Sequence, residues 1–434
     1  MDDSSAAEAR AAKLGRKLTE SLEELGPGVV TGAADDDPSG IATYSQAGAQ
    51  FGYGLLWTML LTYPLMAAVQ LVSAHIGRVT GAGLAKNFTR AFPRSVVTLL
   101  VTILLAANVF NIGADLAAMG EAAALVAGGG DHVFTIAFAL LCVLLQLYVP
   151  YRQYARVLKW LTLSLFAYVA VLLLVHIDWP QAFLGLVWPR EFGSAALLTI
   201  VAVFGTTISP YLFFWQSSQE AEDVAVDPRE KPLNKVPSHA PAQFQRIRFD
   251  TLFGMAFSNL IALSIMLATA ATLNAQGVMN IETAAQAAEA LRPIAGNFAF
   301  AFFALGIIGT GLLAVPVLAG SAAFAVGEAR GWKTGLEHKP VRAKRFYAII
   351  VAATLTGVVL DWSSIDPIKA LFWSAVLNGV SAVPIMIAMM LLASRSSIMG
   401  RFTERPLLPT FGWAATAVMA AASAATLWGM VAGD

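Results

Sequence analysis

Long apolar stretches alternate with short polar segments along nearly the whole chain. A helix that crosses a bilayer needs about 20 mainly apolar residues, and eleven stretches reach or approach that length. The pattern therefore predicts an all-α integral membrane protein with 11 transmembrane helices. The predicted spans, numbered 1 to 11, are 26–51, 54–77, 95–127, 132–149, 154–176, 195–222, 247–273, 297–327, 343–360, 366–394 and 409–431.

Two predicted spans are interrupted near the middle of the membrane by a capping residue followed by proline. Span 1 is broken at Asp37-Pro38 and span 6 at Ser209-Pro210. Proline cannot continue a helix, because it lacks an N–H and its ring clashes with the preceding turn, but it suits the first position of a new helix. Each interrupted span is therefore predicted to be two half-helices. The unpaired backbone between them must line a cavity or be buried in protein.

The positions of the two breaks indicate internal symmetry. Each interrupted span opens a block of five helices, and five helices per block give the second block the opposite orientation. Interrupted helices at matching positions in two halves point to a transporter binding site between them. We therefore predict two inverted five-helix repeats, spans 1–5 and 6–10, and one extra helix. The predicted divisions are a cytoplasmic tail at 1–25, a ten-helix transport core at 26–395, and a loop with helix 11 at 396–434.

Composition agrees with a membrane protein. The 434 residues are 57% hydrophobic and 13% charged, whereas soluble domains have about 25% charged residues. The net charge is zero, so the total says nothing about acidic or nucleic-acid partners, and we expect no nucleic-acid partner for an integral membrane protein of this kind. Cys142 is the only cysteine, which excludes an intrachain disulfide and a cysteine-based metal site. The polar first 25 residues do not resemble a signal peptide.

The distribution of positive charge orients the spans, because Lys and Arg concentrate in cytoplasmic loops. With a cytoplasmic N-terminus, the 28 Lys and Arg residues fall on the inner side except for Arg190, Arg292 and Lys369. We therefore predict a multi-pass protein of the plasma membrane (the cell inner membrane) with its C-terminus outside. The charged, proline-rich segment 223–246 is then a cytoplasmic loop, which we expect to be mobile.

Three consecutive carboxylates, Asp35, Asp36 and Asp37, lie at the break in span 1. A charged side chain near the bilayer centre costs roughly 2.5–3.5 kcal/mol on insertion scales. These residues therefore require a water-filled pocket or a cation. We expect Asp37 to face the cation, and Asp35 and Asp36 to concentrate cations at the mouth of the site.

Spans 1 and 2 contain a series of short distinctive segments. They are Gly26-Pro27-Gly28, Asp37-Pro38-Ser39-Gly40, Gln46-Ala47-Gly48-Ala49-Gln50, Gly52-Tyr53 and Val79-Thr80-Gly81. These segments resemble the first two helices of the Nramp family of divalent-metal transporters. In span 6, the segment Gly205-Thr206-Thr207-Ile208-Ser209-Pro210-Tyr211 takes the place of that family's Met-Pro-His motif. The resemblance implies the fold predicted above and cation transport rather than catalysis.

The departures from the family pattern concern the metal ligands. The family's Asp-Pro-Gly-Asn motif is Asp-Pro-Ser-Gly at 37–40, so that Gly40 stands at the position of the Asn ligand. The family's Met is Ser209, and the His after the proline is Tyr211. These changes look like those of the Nramp-related magnesium-transporter branch. On that basis the resemblance implies a metal site formed by Asp37, Gly40, Ser209 and the carbonyls of Ala34 and Thr206.

The loss of a thioether and an amide favours a hard ion. Carboxylate, carbonyl and water oxygens suit Mg²⁺ and Mn²⁺, and Mg²⁺ usually keeps several of its waters. We therefore predict uptake of a largely hydrated Mg²⁺ ion, with Mn²⁺ also carried, by alternating access around Asp37. The ion is the transported substrate, no cofactor is expected, and the lipid bilayer is the only other partner indicated.

Proton coupling is expected to be weak or absent. Span 9 has no Lys or Arg in its middle, and span 3 carries one deep carboxylate, Asp115, whereas the family's proton route uses an acidic and basic network through these helices. Asp115 has an alternative role as a structural partner of Asn108, of Asn111 or of the backbone at a helix break. The candidate residues of the ion pathway are Asp35, Asp36, Tyr211, Asp115, Gln216 and Asn378.

Two other functions stay open from the sequence. The first is a proton-coupled Mn²⁺/Fe²⁺ importer of the ordinary Nramp type, and the missing Met counts against it. The second is a symporter of an organic substrate, which the acidic break disfavours. No metal-ligand spacing of His and Glu and no nucleophile motif supports an enzyme.

Overall fold

The computed structural model describes residues 27–150, 153, 164–363, 365–403 and 407–432, and all regular secondary structure in these residues is helical. The helices of the first half are α1 Pro27–Asp35, α2 Pro38–Phe51, α3 Trp57–Thr80, α4 Leu84–Ala91, α5 Arg94–Ala127, α6 Asp131–Tyr148, α7 Phe166–Val171, α8 Trp179–Val187, α9 Ser194–Thr207 and α10 Pro210–Val226. Those of the second half are α11 Ala240–Thr272, α12 Ala284–Glu289, α13 Arg292–Ala295, α14 Ala299–Ala329, α15 Lys344–Val358, α16 Pro367–Ala393, α17 Ser396–Met399 and α18 Leu407–Ala432.

Nine helical stretches among the described residues are long and apolar enough to cross a membrane. They correspond to predicted spans 2 to 4 and 6 to 11. The half-helices α1 and α2 have 9 and 14 residues, so neither spans alone, and together they form predicted span 1. Residues 154–163 of predicted span 5 and the tail at 1–25 lie outside the described residues. The total of 11 spans therefore stays a prediction.

The break in span 1 is present at the predicted residues. α1 ends at Asp35 and α2 begins at Pro38. Asp37 is the N-cap of α2, and its side chain accepts a hydrogen bond of 2.8 Å from the Gly40 amide. An N-cap carboxylate compensates the unpaired amides at the start of a helix, so this break is stabilised by the residue that the sequence places there.

The break in span 6 has the same position but a different local chemistry. α9 ends at Thr207 and α10 begins at Pro210. Ser209 occupies the N-cap position, yet its side chain makes no capping hydrogen bond. Its hydroxyl instead donates back to the carbonyls of Gly205 at 2.7 Å and Thr206 at 2.8 Å. The prediction that Ser209 caps the second half-helix is therefore wrong, because its hydroxyl donates hydrogen bonds to the carbonyls at the end of α9 instead.

Small residues bring the helices around the breaks into close contact. A Cβ built on Gly32 of α1 would collide with the backbone of Gly254 on α11. A Cβ on Gly205 of α9 would collide with the backbone of α16 and lie 2.8 Å from the Gly379 Cα. Close approach through glycine is common where membrane helices cross. These crossings place α11 and α16 directly against the interrupted spans.

We expect Gly205→Val to destabilise the protein, because its side chain would have to push α9 and α16 apart. Overpacking of this kind costs about 1–3 kcal/mol, so the unfolding midpoint of the purified protein in detergent should fall. Gly193→Ala, at the N-cap of α9, is the matched control because its Cβ would meet nothing within 4 Å. Equal midpoints for the two variants would contradict the close crossing.

Segment 223–246, which the sequence predicts to be a mobile cytoplasmic loop, is docked on the end of α3. Leu233 is fully buried, and its amide donates to the Arg78 carbonyl at 3.3 Å. The Arg78 guanidinium, 3% exposed, pairs with Glu230 at 2.7 Å. A buried arginine needs a counter-charge, and the segment supplies it. The expectation that this segment is mobile is therefore wrong, because the ion pair between Arg78 and Glu230 holds it against α3.

The sequence did not predict α8, a short helix between predicted spans 5 and 6. Its N-cap Asp178 accepts a hydrogen bond from the Gln181 amide at 3.1 Å, and it exposes the large apolar side chains of Trp179 and Phe183. Exposed tryptophan on a short apolar helix is typical of the membrane–water boundary. Hydropathy missed this helix because it is too short to span.

Candidate metal site

Asp37 lies between α1 and α2 and is 1% exposed. Its Oδ1 accepts hydrogen bonds of 2.8 Å from both the Ser39 hydroxyl and the Gly40 amide. Its Oδ2 accepts a hydrogen bond of 3.0 Å from Asn111 Nδ2 on α5, and the Tyr211 hydroxyl on α10 lies 3.4 Å from the same oxygen. Four donors from α2, α5 and α10 therefore surround this carboxylate.

The two breaks lie side by side. The Tyr211 hydroxyl, at the start of α10, donates to the Ala34 carbonyl of α1 at 2.9 Å. A Cβ built on Gly40 of α2 would lie 3.1 Å from the Thr206 Oγ1 of α9. The structure thus places four of the five predicted metal-site residues, Asp37, Ala34, Gly40 and Thr206, at one junction. Half-helices of predicted spans 1 and 6, one from each predicted repeat, meet there.

Ser209, the fifth predicted residue, is at the same break but its hydroxyl is directed along α9. It donates to the Thr206 carbonyl, itself a predicted ligand, at 2.8 Å. The Ala34 carbonyl likewise accepts from Tyr211. Both predicted carbonyl ligands therefore already accept a hydrogen bond in this conformation. An ion would have to replace these donors or bind through water.

The open, wet pocket expected around Asp37 is closed in this conformation. Tyr211 is fully buried, and Ser209 and Thr206 are buried beside it. The contact between Tyr211 and Ala34 covers the carboxylate on the side of α1. Access to bulk solvent therefore requires α1 or α10 to move.

Asp35 and Asp36 do not lie at a solvated mouth, and the sequence-based expectation is wrong on this point. They are 0% and 1% exposed. The Ser258 hydroxyl of α11 donates to Asp35 Oδ2 at 2.5 Å and lies 3.1 Å from Asp36 Oδ1. Asp35 Oδ1 and Asp36 Oδ2 have no hydrogen-bond partner. The reason is the packing of α1 on α11, which turns both carboxylates toward that helix.

A family model described as natural resistance-associated macrophage protein-like, Nramp, matches residues 28–429. The chain belongs to the Nramp family. The resemblance seen in predicted spans 1 and 6 is thereby confirmed and extends over nearly the whole chain.

This Nramp protein is similar to divalent metal cation transporters called MntH. It is 25% identical to that of Deinococcus radiodurans over 427 residues, which covers 96% of this chain and 92% of the relative. It is 26% identical to the MntH of Klebsiella pneumoniae over 429 residues, which covers 96% of this chain and 96% of the relative. Neither comparison is limited to the interrupted spans.

Solved structures share the fold of this Nramp protein. The manganese transporter of Eremococcus coleocola superposes with a TM-score of 0.71 at 16% identity, over 94% of this chain and 86% of that chain. Mhp1, a nucleobase-cation-symport-1 family transporter, superposes with a TM-score of 0.52 at 13% identity, over 93% of this chain and 92% of that chain. The arrangement of helices is therefore retained where most of the sequence differs.

Asp115 of this Nramp protein is fully buried in α5, and neither of its oxygens makes a hydrogen bond of ordinary geometry. Asn108 instead donates to the Leu318 carbonyl of α14 at 2.9 Å, and Asn111 donates to Asp37. The alternative that Asp115 pairs with one of these amides is therefore wrong. Both asparagines use their N–H groups on other helices.

The last two pathway candidates are buried away from direct contact with Asp37. Gln216 Nε2 donates to the Thr251 hydroxyl of α11 at 2.8 Å. Asn378 of α16 is fully buried, and its amide has no hydrogen-bond partner. It adjoins Gly379 in the crossing of α9 and α16. The structure brings neither side chain into hydrogen-bond contact with the carboxylate.

Sequence reasoning missed Asn111 and Ser258 as parts of the site. Asn111 is four residues before Asp115, so both lie on one face of α5, and this spacing of polar residues in an apolar span was the available signal. Among the described residues, no three or more His, Cys, Asp or Glu side chains are grouped to hold a metal ion. An ion at Asp37 would therefore meet mainly hydroxyl, carbonyl, amide and water oxygens, which suit hard dications.

Proposed function

We propose that this protein carries divalent cations across the membrane, Mg²⁺ preferentially and Mn²⁺ also, by alternating access around Asp37. The observation that supports it is an excess of buried negative charge, at 35–37 and Asp115. Of the described residues, Arg78 is the one buried Lys or Arg, and it pairs with Glu230. Burying a charge costs several kcal/mol unless it is paired, so a cation from outside the chain fits this site.

The names of the relatives favour a divalent metal as the cargo, since they are called divalent metal cation and manganese transporters. The hydrogen-bond partners of Asp37, which are Ser39, Gly40, Asn111 and Tyr211, include no soft ligand, and this favours Mg²⁺ over softer metals. The Ser39 hydroxyl and the Asn111 amide donate hydrogen bonds to this carboxylate. The Tyr211 hydroxyl faces it as a further donor. The waters of a hydrated dication present the same kind of donor, so an ion that keeps its waters can exchange with them.

We also propose the topology predicted from the sequence: 11 spans, two inverted repeats with α18 outside them, an inner N-terminus and an outer C-terminus in the cell membrane. The two breaks at matching positions and the asymmetry of Lys and Arg support it. The metal is cargo rather than a resident cofactor, transport needs no chemical step, and no protein partner is required.

Weak or absent proton coupling is part of the proposal. Lys344 and Arg345, the basic residues of α15, are exposed at its first turn. The described part of predicted span 9 thus gives no buried basic group to a proton relay. The membrane potential can drive uptake alone, because about 100 mV is worth roughly 4.6 kcal/mol for a dication, which corresponds to about a thousandfold accumulation.

Proteoliposomes that contain both a Mg²⁺ dye and a pH dye test this proposal. With a negative-inside potential, we expect internal Mg²⁺ to rise while internal pH stays constant, because the ion carries the charge by itself. Protein-free liposomes are the control. Acidification in proportion to Mn²⁺ uptake, with no Mg²⁺ uptake, would support the proton-coupled alternative instead.

A further inference from the structure

Asn111 contacts Asp37 with only half of its amide. Nδ2 donates to Asp37 Oδ2 at 3.0 Å, while Oδ1 has no hydrogen-bond partner although the residue is fully buried. A buried acceptor without a donor is unfavourable and calls for an explanation. An amide oxygen is also a good ligand for hard cations. This atom is therefore available to a cation that reaches Asp37.

Asp115 extends the same surface by one turn of α5. It is four residues from Asn111, so the two side chains share a face of the helix. Both carboxylate oxygens are buried and make no hydrogen bond of ordinary geometry, and the neighbours of the carboxylate are Asp37 and the Ser39 backbone amide. α5 therefore presents three oxygen atoms next to the metal site, Asn111 Oδ1 and the two carboxylate oxygens of Asp115. They come from α5 and not from the half-helices at the two breaks.

The breaks themselves offer few side-chain ligands. Gly40 has no side chain, and the space above it is occupied by Thr206 Oγ1 at 3.1 Å and the Tyr44 ring at 3.3 Å. The Ser209 hydroxyl is bonded to backbone carbonyls of α9. Asp37 is thus the main side-chain ligand from these segments, and one carboxylate is a small ligand set for a dication.

We propose that Asn111 and Asp115 form a third side of the cation site, at which the Asn111 amide oxygen and the Asp115 carboxylate bind a hydrated divalent cation together with Asp37. This inference rests on the proposed function and deepens it. When the ion enters, Asn111 releases its hydrogen bond to Asp37 and presents Oδ1. The same residue thus holds Asp37 without the ion and binds the ion when it arrives.

Titration calorimetry of the purified full-length protein with Mg²⁺ alone, and in parallel with Mn²⁺ alone, tests this inference. Asn111→Leu keeps the volume but removes the oxygen, and we expect Kd to rise about tenfold. Asp115→Asn should weaken binding at least as much. Asn108→Leu is the matched control, because Asn108 donates to α14. It should lower the unfolding midpoint and leave Kd unchanged.

Asn111→Asp separates a ligand from a residue that only positions Asp37. It removes the N–H that holds Asp37 but keeps an oxygen and adds charge. A ligand role predicts a Kd equal to or lower than that of the unsubstituted protein, whereas a positioning role predicts the weakening seen with Asn111→Leu. The latter result, or an unchanged Kd in Asn111→Leu, overturns the inference. Failure of the proposed function is a different result, since Asp37→Asn would then leave binding of both ions unchanged.

Discussion

Asp37→Asn is expected to abolish Mg²⁺ uptake and leave the protein folded. The amide has nearly the same shape as the carboxylate, and its oxygen can still accept from the Gly40 amide, which now bonds Oδ1 at 2.8 Å. The substitution removes the negative charge that attracts a dication in a buried, low-dielectric site, where Coulomb energies are several times larger than in water. We expect initial uptake into proteoliposomes to fall about a hundredfold, or roughly 2.7 kcal/mol.

The control for this experiment is Asp366→Asn. Asp366 precedes Pro367 and caps α16, accepting from the Ile368 amide at 3.0 Å, just as Asp37 precedes Pro38 and caps α2. The two variants therefore lose the charge of the same kind of cap while they keep an acceptor oxygen, but only Asp37 lies at the breaks. Normal uptake by Asp366→Asn together with loss in Asp37→Asn supports the site. Normal uptake by Asp37→Asn would show that the ion binds elsewhere.

The breaks could be predicted from the sequence because their cause is local. Pro38 and Pro210 each remove a backbone N–H and clash with the preceding turn, and the half-helices begin at these residues. Each follows Asp or Ser, which favour the N-cap position, whereas Pro64, Pro316 and Pro384 follow other residue types and lie inside continuous helices. The role of Asp37 as N-cap follows from its place before Pro38. The family resemblance was predictable for the same reason, since short segments around the breaks carry it.

The surroundings of the other carboxylates could not be predicted, because they depend on which distant helix covers them. Asp35 and Asp36 are buried only because α11 brings Ser258 to them across 222 or more positions of sequence. Asn111 reaches Asp37 across 74 positions. Hydropathy assigns each residue to a span but does not give the rotation of that span about its axis.

Segment 223–246 shows the same limit outside the predicted spans. Its prolines and charges are typical of a mobile loop, and the local sequence gives no sign of docking. The docking depends on Arg78, whose buried guanidinium is 152 positions from Glu230. The local pattern therefore predicted correctly that segment 223–246 is polar, and wrongly that it is mobile.

Ser209→Met is expected to shift the preference from Mg²⁺ toward Mn²⁺. A thioether at the end of α9 would add a soft ligand, which Mn²⁺ tolerates better than Mg²⁺. It would also displace the hydroxyl that now occupies the Thr206 carbonyl at 2.8 Å, so that this carbonyl becomes free to bind a less hydrated ion. We expect the ratio of Mn²⁺ to Mg²⁺ uptake, measured in competition, to rise about tenfold.

Ser209→Ala distinguishes the two contributions to this shift. It frees the carbonyls of Gly205 and Thr206 without supplying sulfur, so a ratio close to that of the unsubstituted protein would assign the change to the thioether. Unfolding midpoints must be measured for both variants, because Ser209 is buried and Met is larger. An equal rise in both variants would assign the shift to the freed carbonyls rather than to sulfur. If both variants keep the ratio of the unsubstituted protein, the residue at this break does not set the choice of metal. The preference would then lie with the oxygens of Asp37 and α5.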